Sequence, residues 1–371
     1  MSHSLRTFGQ AFLVIACVVA GPALASNRPE GLDQLGKPTL KSAGPLAFGP
    51  EGVLFVGDPR SATLFAIGVE PAGPASSSET VRFEGVNVQL ASLVGVKPDD
   101  LLINDVAVQP DSTVVYLSAS RGRGPDAEPV LAKISAAGKL TLLALDNVPY
   151  AKVDLNNAPD PDKVDRRGNK LRQESITDLQ YIDGRVFVAG LSNEEFASKL
   201  RAISFPFTGA DAGAGVEIYH GAHGQFETRA PVRTFVPFNV KGEPHLLAAY
   251  TCTPLVTFPV SELKAGAKLR GTTVAELGNH NRPLDIIAYE KDGRTFLLLA
   301  NSARGVMKIA TDDLDEQPSI SQPVKGTAGL KYDTIEDLKG VEHLDKLGSG
   351  HALLLVRNDA KGLNIETISL P

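Results

Sequence analysis

Tryptophan is absent from this chain, and cysteine nearly so: Cys17 and Cys252 are the two in 371 residues. Cys17 lies in an N-terminal stretch with the marks of an export signal, so the processed chain would keep Cys252 alone and could form no internal disulfide. Stability must then come from an apolar core, which a chain of this length can bury. Positive charge is also short. The 37 Lys and Arg stand against 43 Asp and Glu, a formal net charge of −6, which argues against nucleic acid and against an anionic membrane surface as partners. Past residue 25 no apolar run approaches the roughly 20 residues of a membrane-spanning helix. Several catalytic signatures are missing as well: no C-x-x-C-H for haem, no G-x-S-x-G elbow, no G-x-G-x-x-G after a strand, no P-loop and no H-E-x-x-H.

What is present begins with the signal. Arg6 closes a short polar segment, Ala11 to Ala20 is apolar, and Ala23-Leu24-Ala25 supplies the small-x-small cleavage pattern. The sequence therefore divides into a signal peptide over 1–25, a polar lead-in over 26–43 and one domain over 44–371, exported to the periplasm or secreted. A lipoprotein signal read through Val14-Ile15-Ala16 before Cys17 is the competing reading.

The domain is repetitive. Pro283 to Ile309 reads as three short strands: an apolar run, the turn Glu290-Lys291-Asp292-Gly293, the run Thr295 to Ala300, a second turn, and Val306 to Ile309. Copies of this unit start near Gly44, Leu101, Ile176, Thr234 and Gly340, at steps of roughly 50 to 70 residues. Gly (35) and Pro (25) are spread along the chain as punctuation. A period near this size predicts an all-β fold, a β-propeller of four-stranded antiparallel blades. Six blades are preferred over seven. A degenerate seventh could lie in Val81 to Leu93 or Ile320 to Leu338, the first of which otherwise reads as an outer strand followed by a short helical piece.

The units GPLAFGPEGVLFVGD and PLDIIAYEKDGRTFLLLAN resemble blades of the broad NHL/SMP-30-like class of propellers, in which a short apolar strand, a Pro/Asp/Gly turn and a second apolar strand ending in a polar residue recur. By that resemblance the nearest enzymatic relatives are the gluconolactonase/SMP-30 hydrolases. These hold a divalent metal over the channel with a Glu, an Asn and Asp residues, and carry Glu-Gly-Pro in the first blade. The matching triplet here is Ala43-Gly44-Pro45, without the Glu. The absence of Trp also leaves out the docking motifs of quinone-cofactor propellers.

Two constellations carry candidate chemistry. Aligning the first strands of the copies puts Asp105, Asp178, Asp285 and Glu342 at one register, facing the channel. Four carboxylates at one level repel unless they share a cation or protons. Either a hard divalent cation such as calcium sits among them, or each Asp caps its strand through backbone hydrogen bonds. The second is Tyr219 to Val232, with His220, His223, Glu227 and Arg229. H-x-x-H with a nearby Glu could hold zinc or copper, or provide a general base with an arginine for an anionic substrate. The tight glycine loop gives the alternative, histidines bonded to backbone. This connection, Gly278 to Pro283 with His280 and Arg282, and the polar insertion Tyr150 to Ser175 are all links between blades and are expected to open at one mouth. The acidic run Asp154 to Asp165 has oxygen ligands without EF-hand spacing. Cys252 reads as a small apolar residue, with no sign that His245 faces it.

The leading expectation is an exported, monomeric binding or interaction module, with a small molecule or a protein held at that mouth. A metal-dependent hydrolase or lyase acting on a lactone-like, sugar-derived substrate is the alternative, with a cation over the acids and His220 or His223 moving protons. An accessory subunit of a periplasmic redox enzyme is the third.

Overall fold

The computed structural model describes Met1 and residues 28–73, 80–252, 254–358, 360 and 362–371. The expected signal, Cys17 included, lies outside the described residues. The described residues form six sheets, antiparallel except where Lys268–Arg270 pairs parallel to Ala214–His220, arranged as a six-bladed β-propeller. Numbered as they occur in the sequence, the blades have innermost strands Leu46–Phe48, Leu101–Val108, Asp178–Ile182, Val232–Val240, Pro283–Lys291 and Val341–Leu347. These are the six repeat copies. The two stretches that could have hidden a seventh blade complete others. Arg82–Phe83 pairs with Leu363–Ser369 as the outer strand of blade six, and Tyr332–Ile335 is the outer strand of blade five.

The second strand of each blade shows why the sheets stack face to face. Leu297, Leu298, Leu299 and Ala300 in blade five are all fully buried. A strand that is apolar on both faces needs cover on both. The pleat sends Leu297 and Leu299 into the core shared with blade four, and Leu298 and Ala300 into the core shared with blade six. Each burial is worth about 1.5–3 kcal/mol. Six such cores, one per junction, hold the ring together.

Those cores also fix the order of the blades, which is not the order of the sequence. Blade one packs against blade three on one side and blade two on the other, and blade two packs against blade six. The cause is an interrupted first blade. Its strands Leu46–Phe48, Val53–Asp58 and Thr63–Gly68 come first, but its fourth strand, Val148–Asp154, returns only after blade two is complete. In between, the chain crosses to clasp blade six with Arg82–Phe83 and turns through helix α1, Val86–Val94, whose Val86, Leu90 and Ala91 fill the junction between blades six and two. The first residues of the insertion expected from Tyr150 therefore belong to a strand. The lead-in also contributes: Gln34–Gly36 adds an edge strand to blade one, and Asp58 accepts hydrogen bonds from the Lys41 and Ser42 amides at 2.6 and 3.0 Å.

The innermost strands carry the feature that positions the channel residues. Four of them bulge near their start, between Ile103 and Asp105, Val232 and Thr234, Pro283 and Asp285, and Val341 and His343. A bulge adds one residue and re-aims the side chains beyond it.

Candidate functional sites at the two ends of the propeller

At the bulge register the channel receives Asp105, Thr234, Asp285 and His343, with Asp178 level in blade three. Each aspartate spans a blade junction. Asp105 accepts the Val106 amide of its own strand and the Leu46 amide of blade one, both at 2.7 Å. Asp178 accepts Leu179 and, from blade four, Phe235, both at 2.7 Å. Asp285 accepts Ile286 at 2.9 Å and Leu344 of blade six at 3.1 Å. Asp345 repeats the pattern one pleat further on, taking Lys346 at 2.7 Å and Val108 of blade two at 2.8 Å. The carboxylates thus act as straps, consistent with the capping alternative.

Glu342 stands elsewhere. It is the extra residue of the blade-six bulge, so its side chain leaves the channel register and pairs with Arg357 Nε at 2.5 Å. His343 takes the vacated place. Its Nδ1 lies 3.4 Å from Asp105 Oδ1 and 3.6 Å from Asp285 Oδ2. Burial alone would lower the imidazole, but the two carboxylates reverse this and push it up to about 10. An internal cation therefore supplies charge that the acid ring requires. Burial, followed by the Asp285 charge, holds Asp178 well above the usual carboxylate range, and burial pushes Asp345 up to about 7.

Beyond the acids the channel widens into a cavity of about 1040 Å³ lined by Asp105, Asp178, Asp285, Asp345, Gln180 and Lys346, among others. It continues to the turns at 109–113 and 348–351, where first strands turn into second strands. This is the opposite end from the inter-blade connections, the expected ligand mouth.

The connections nevertheless meet. Glu174, at the end of the long insertion, pairs with Arg233 at 2.6 Å, and Arg282 lies within reach of both charges. The Cys252 amide donates to Asn281 O at 2.8 Å. Arg229, His280 and Arg282 are exposed. His245 faces Glu243 O at 2.9 Å rather than Cys252. In the acidic run, Asp160 and Asp165 close local turns, and Asp154 accepts from Thr63 Oγ1.

His220, His223 and Glu227 form the tightest cluster on this face. His220 ends strand Ala214–His220, the outer strand of blade three, and Glu227 ends its partner Gln225–Glu227. Both histidines turn Nδ1 to the same carboxylate, His220 at 3.0 Å and His223 at 2.7 Å. Burial raises Glu227, but the two imidazole hydrogen bonds outweigh it and leave the carboxyl at about 2. A ring nitrogen of each histidine and Cys252 Sγ lie within 4.8 Å of one another. No local sequence pattern joins Cys252, in a turn of blade four, to histidines in blade three. Glu276, on the fourth strand of blade four, lies close enough to feel both histidines.

No family model matches the chain, and no curated protein matches it in sequence. Among solved structures it is similar to a chain of a mitotic checkpoint complex, with 8% identity over 99% of both chains and a TM-score of 0.39. It is also similar to the PQQ-bound aldose sugar dehydrogenase of Streptomyces coelicolor, with 13% identity over 90% of this chain and 96% of that one and a TM-score of 0.36. At these identities and scores the likenesses assign no activity.

Proposed function

We propose that this chain is an exported binding propeller that takes a small cationic or polyhydroxylated ligand into its channel. The carrying observation is the roughly 1040 Å³ cavity lined by strapped aspartates. Its volume reaches the upper range of small-molecule pockets, about 300–1,000 Å³. Its acids are pre-oriented by backbone amides, so a ligand meets fixed acceptors without reorganising them. A cation would favour their ionised forms; hydroxyl groups would find both acceptors and, where a carboxyl stays protonated, donors.

The hydrolase reading is less well supported, because it needs the acids and the histidines in one place. The strand that carries His220 is the fourth from the channel in its blade. Three spacings of about 4.8 Å place it roughly 14 Å from the innermost strand.

The test is calorimetric titration of the full chain with calcium, putrescine and glucose in turn, beside Asp178→Asn and Asp345→Asn. Saturable binding of one of them, weakened at least tenfold in both variants, is expected. No saturable binding of any, or binding indifferent to both substitutions, would overturn the proposal.

A further inference from the structure

We propose that His220, His223 and Cys252 form a transition-metal site, built for zinc or copper, where the end of the fourth strand of blade three meets the turn between the second and third strands of blade four. This site is separate from the channel and does not depend on the ligand proposed there.

The donor set is the first argument. Two imidazoles and a thiolate are ligands for borderline and soft ions, and His₂Cys sets occur in zinc sites with an open fourth position and in trigonal copper sites. Metal–sulfur bonds of about 2.3 Å and metal–nitrogen bonds of about 2.0–2.1 Å put tetrahedral ligand atoms roughly 3.3–3.7 Å apart. The three atoms here fall within 4.8 Å of one another before any ion draws them in.

The tautomers are the second. Glu227 spends one oxygen on each Nδ1, which leaves Nε2 of each neutral ring as the nitrogen able to bind an ion. A carboxylate behind a histidine is the usual way of orienting an imidazole ligand and raising its basicity. Two histidines sharing one such carboxylate, with ring centroids 3.8 Å apart, are hard to explain as loop packing.

The third argument is the orphan atom. His220 is 2% exposed, and its Nε2 has no hydrogen-bond partner. A buried, unpartnered imidazole nitrogen is unfavourable unless something binds it. Nearby, Glu276 is 1% exposed, holds the Gly221 amide with one oxygen and leaves the other unpartnered.

Cys252 is placed to complete the set. Its backbone is left-handed, φ 62°, a conformation uncommon for a residue other than glycine, and the bond to Asn281 O fixes it there. It is a partly exposed free thiol, so an ion can reach it from solvent and retain a water or a further ligand.

The experiment uses the full chain, freed of metal with a chelator under reducing conditions and titrated separately with Zn(II), Co(II) and Cu(II). The variants are Cys252→Ser, His220→Ala and Glu227→Gln. One equivalent is expected, with a thiolate-to-metal charge-transfer band in the cobalt form. A strong visible band with Cu(II) and preference over zinc would assign copper; a colourless zinc form that cobalt merely replaces would assign zinc. Cys252→Ser should lose the band, and Glu227→Gln should weaken binding by about 10–100-fold. Because Cys252 is partly exposed, its serine variant should keep the metal-free melting temperature, separating lost binding from lost folding. No uptake by the native chain, or uptake equal in native chain and Cys252→Ser, would overturn the proposal.

Discussion

His343 Nδ1 stands 3.4 Å from Asp105 Oδ1, although the two residues belong to blades at opposite ends of the sequence. The contact exists because the interrupted first blade makes blade two the neighbour of blade six. It also decides how a ring of acids survives in a channel: the compensating charge is part of the chain. Replacing His343 with Leu should leave Asp105 and Asp285 facing each other uncompensated. Removing one partner of a buried pair typically destabilises by about 3–5 kcal/mol. Denaturant unfolding of His343→Leu beside the native chain checks this, and a loss below about 1 kcal/mol would show that the imidazole is not the balancing charge.

The same cluster sets a pH dependence. His343 is raised from 6.5 to about 10, so between these values the folded chain holds a proton that the unfolded chain has released. Its stabilisation is full below about pH 6.5 and is lost as pH climbs through 10. Asp345, raised from 3.8 to about 7, acts in the same direction at lower pH: its contribution is full below 3.8 and gone above 7. Each group slopes by at most about 1.4 kcal/mol per pH unit. Unfolding midpoints measured from pH 6.5 to 10 should fall, and should fall less in His343→Gln. Parallel curves for the two proteins would remove His343 as the cause.

The Asp178 strap offers a test of the junction between blades three and four. Its two oxygens hold the Leu179 and Phe235 amides. In Asp178→Asn one amide would meet an NH₂ group instead of an acceptor, and a buried unpaired donor destabilises by about 1–3 kcal/mol. A loss in that range is expected by chemical denaturation, with the Asp178→Ala loss at least as large. A neutral result for both would mean that the hydrophobic core alone secures this junction.

The blades were legible because both of their signals are local. Runs such as Leu297 to Ala300 announce a strand covered on both faces, and turns such as Lys291-Asp292-Gly293 announce its ends. Ring order was not legible, since nothing in Thr63–Gly68 says that its outer neighbour is still eighty residues away at Val148–Asp154. The channel acids show where strand alignment stops working. Asp105, Asp178 and Asp285 were found by register, but the bulge before His343 moves Glu342 off that register. The pattern His343-x-Asp345, two polar residues a pleat apart on either side of the buried Leu344, was the available signal for both. Nothing local could join Cys252 to His220, because that contact depends on two blades docking.

Thr234 occupies the bulge register in blade four, where blades two and five carry aspartate. It is 2% exposed, and its Oγ1 has no partner. A strap needs two acceptor oxygens, and a single hydroxyl reached neither role here. If straps rather than mere polarity matter at this register, Thr234→Val should do no harm. It keeps the shape and removes a buried hydroxyl that is unsatisfied, a change that can be neutral or stabilising. Thermal and denaturant unfolding should show the valine variant equal to the native chain or up to about 1 kcal/mol more stable, while Asp285→Val, at the same register in the next blade, should lose several kcal/mol by breaking a strap and stranding the His343 charge. Losses of similar size at both positions would show that the register demands a polar side chain as such, and the strap account would fail.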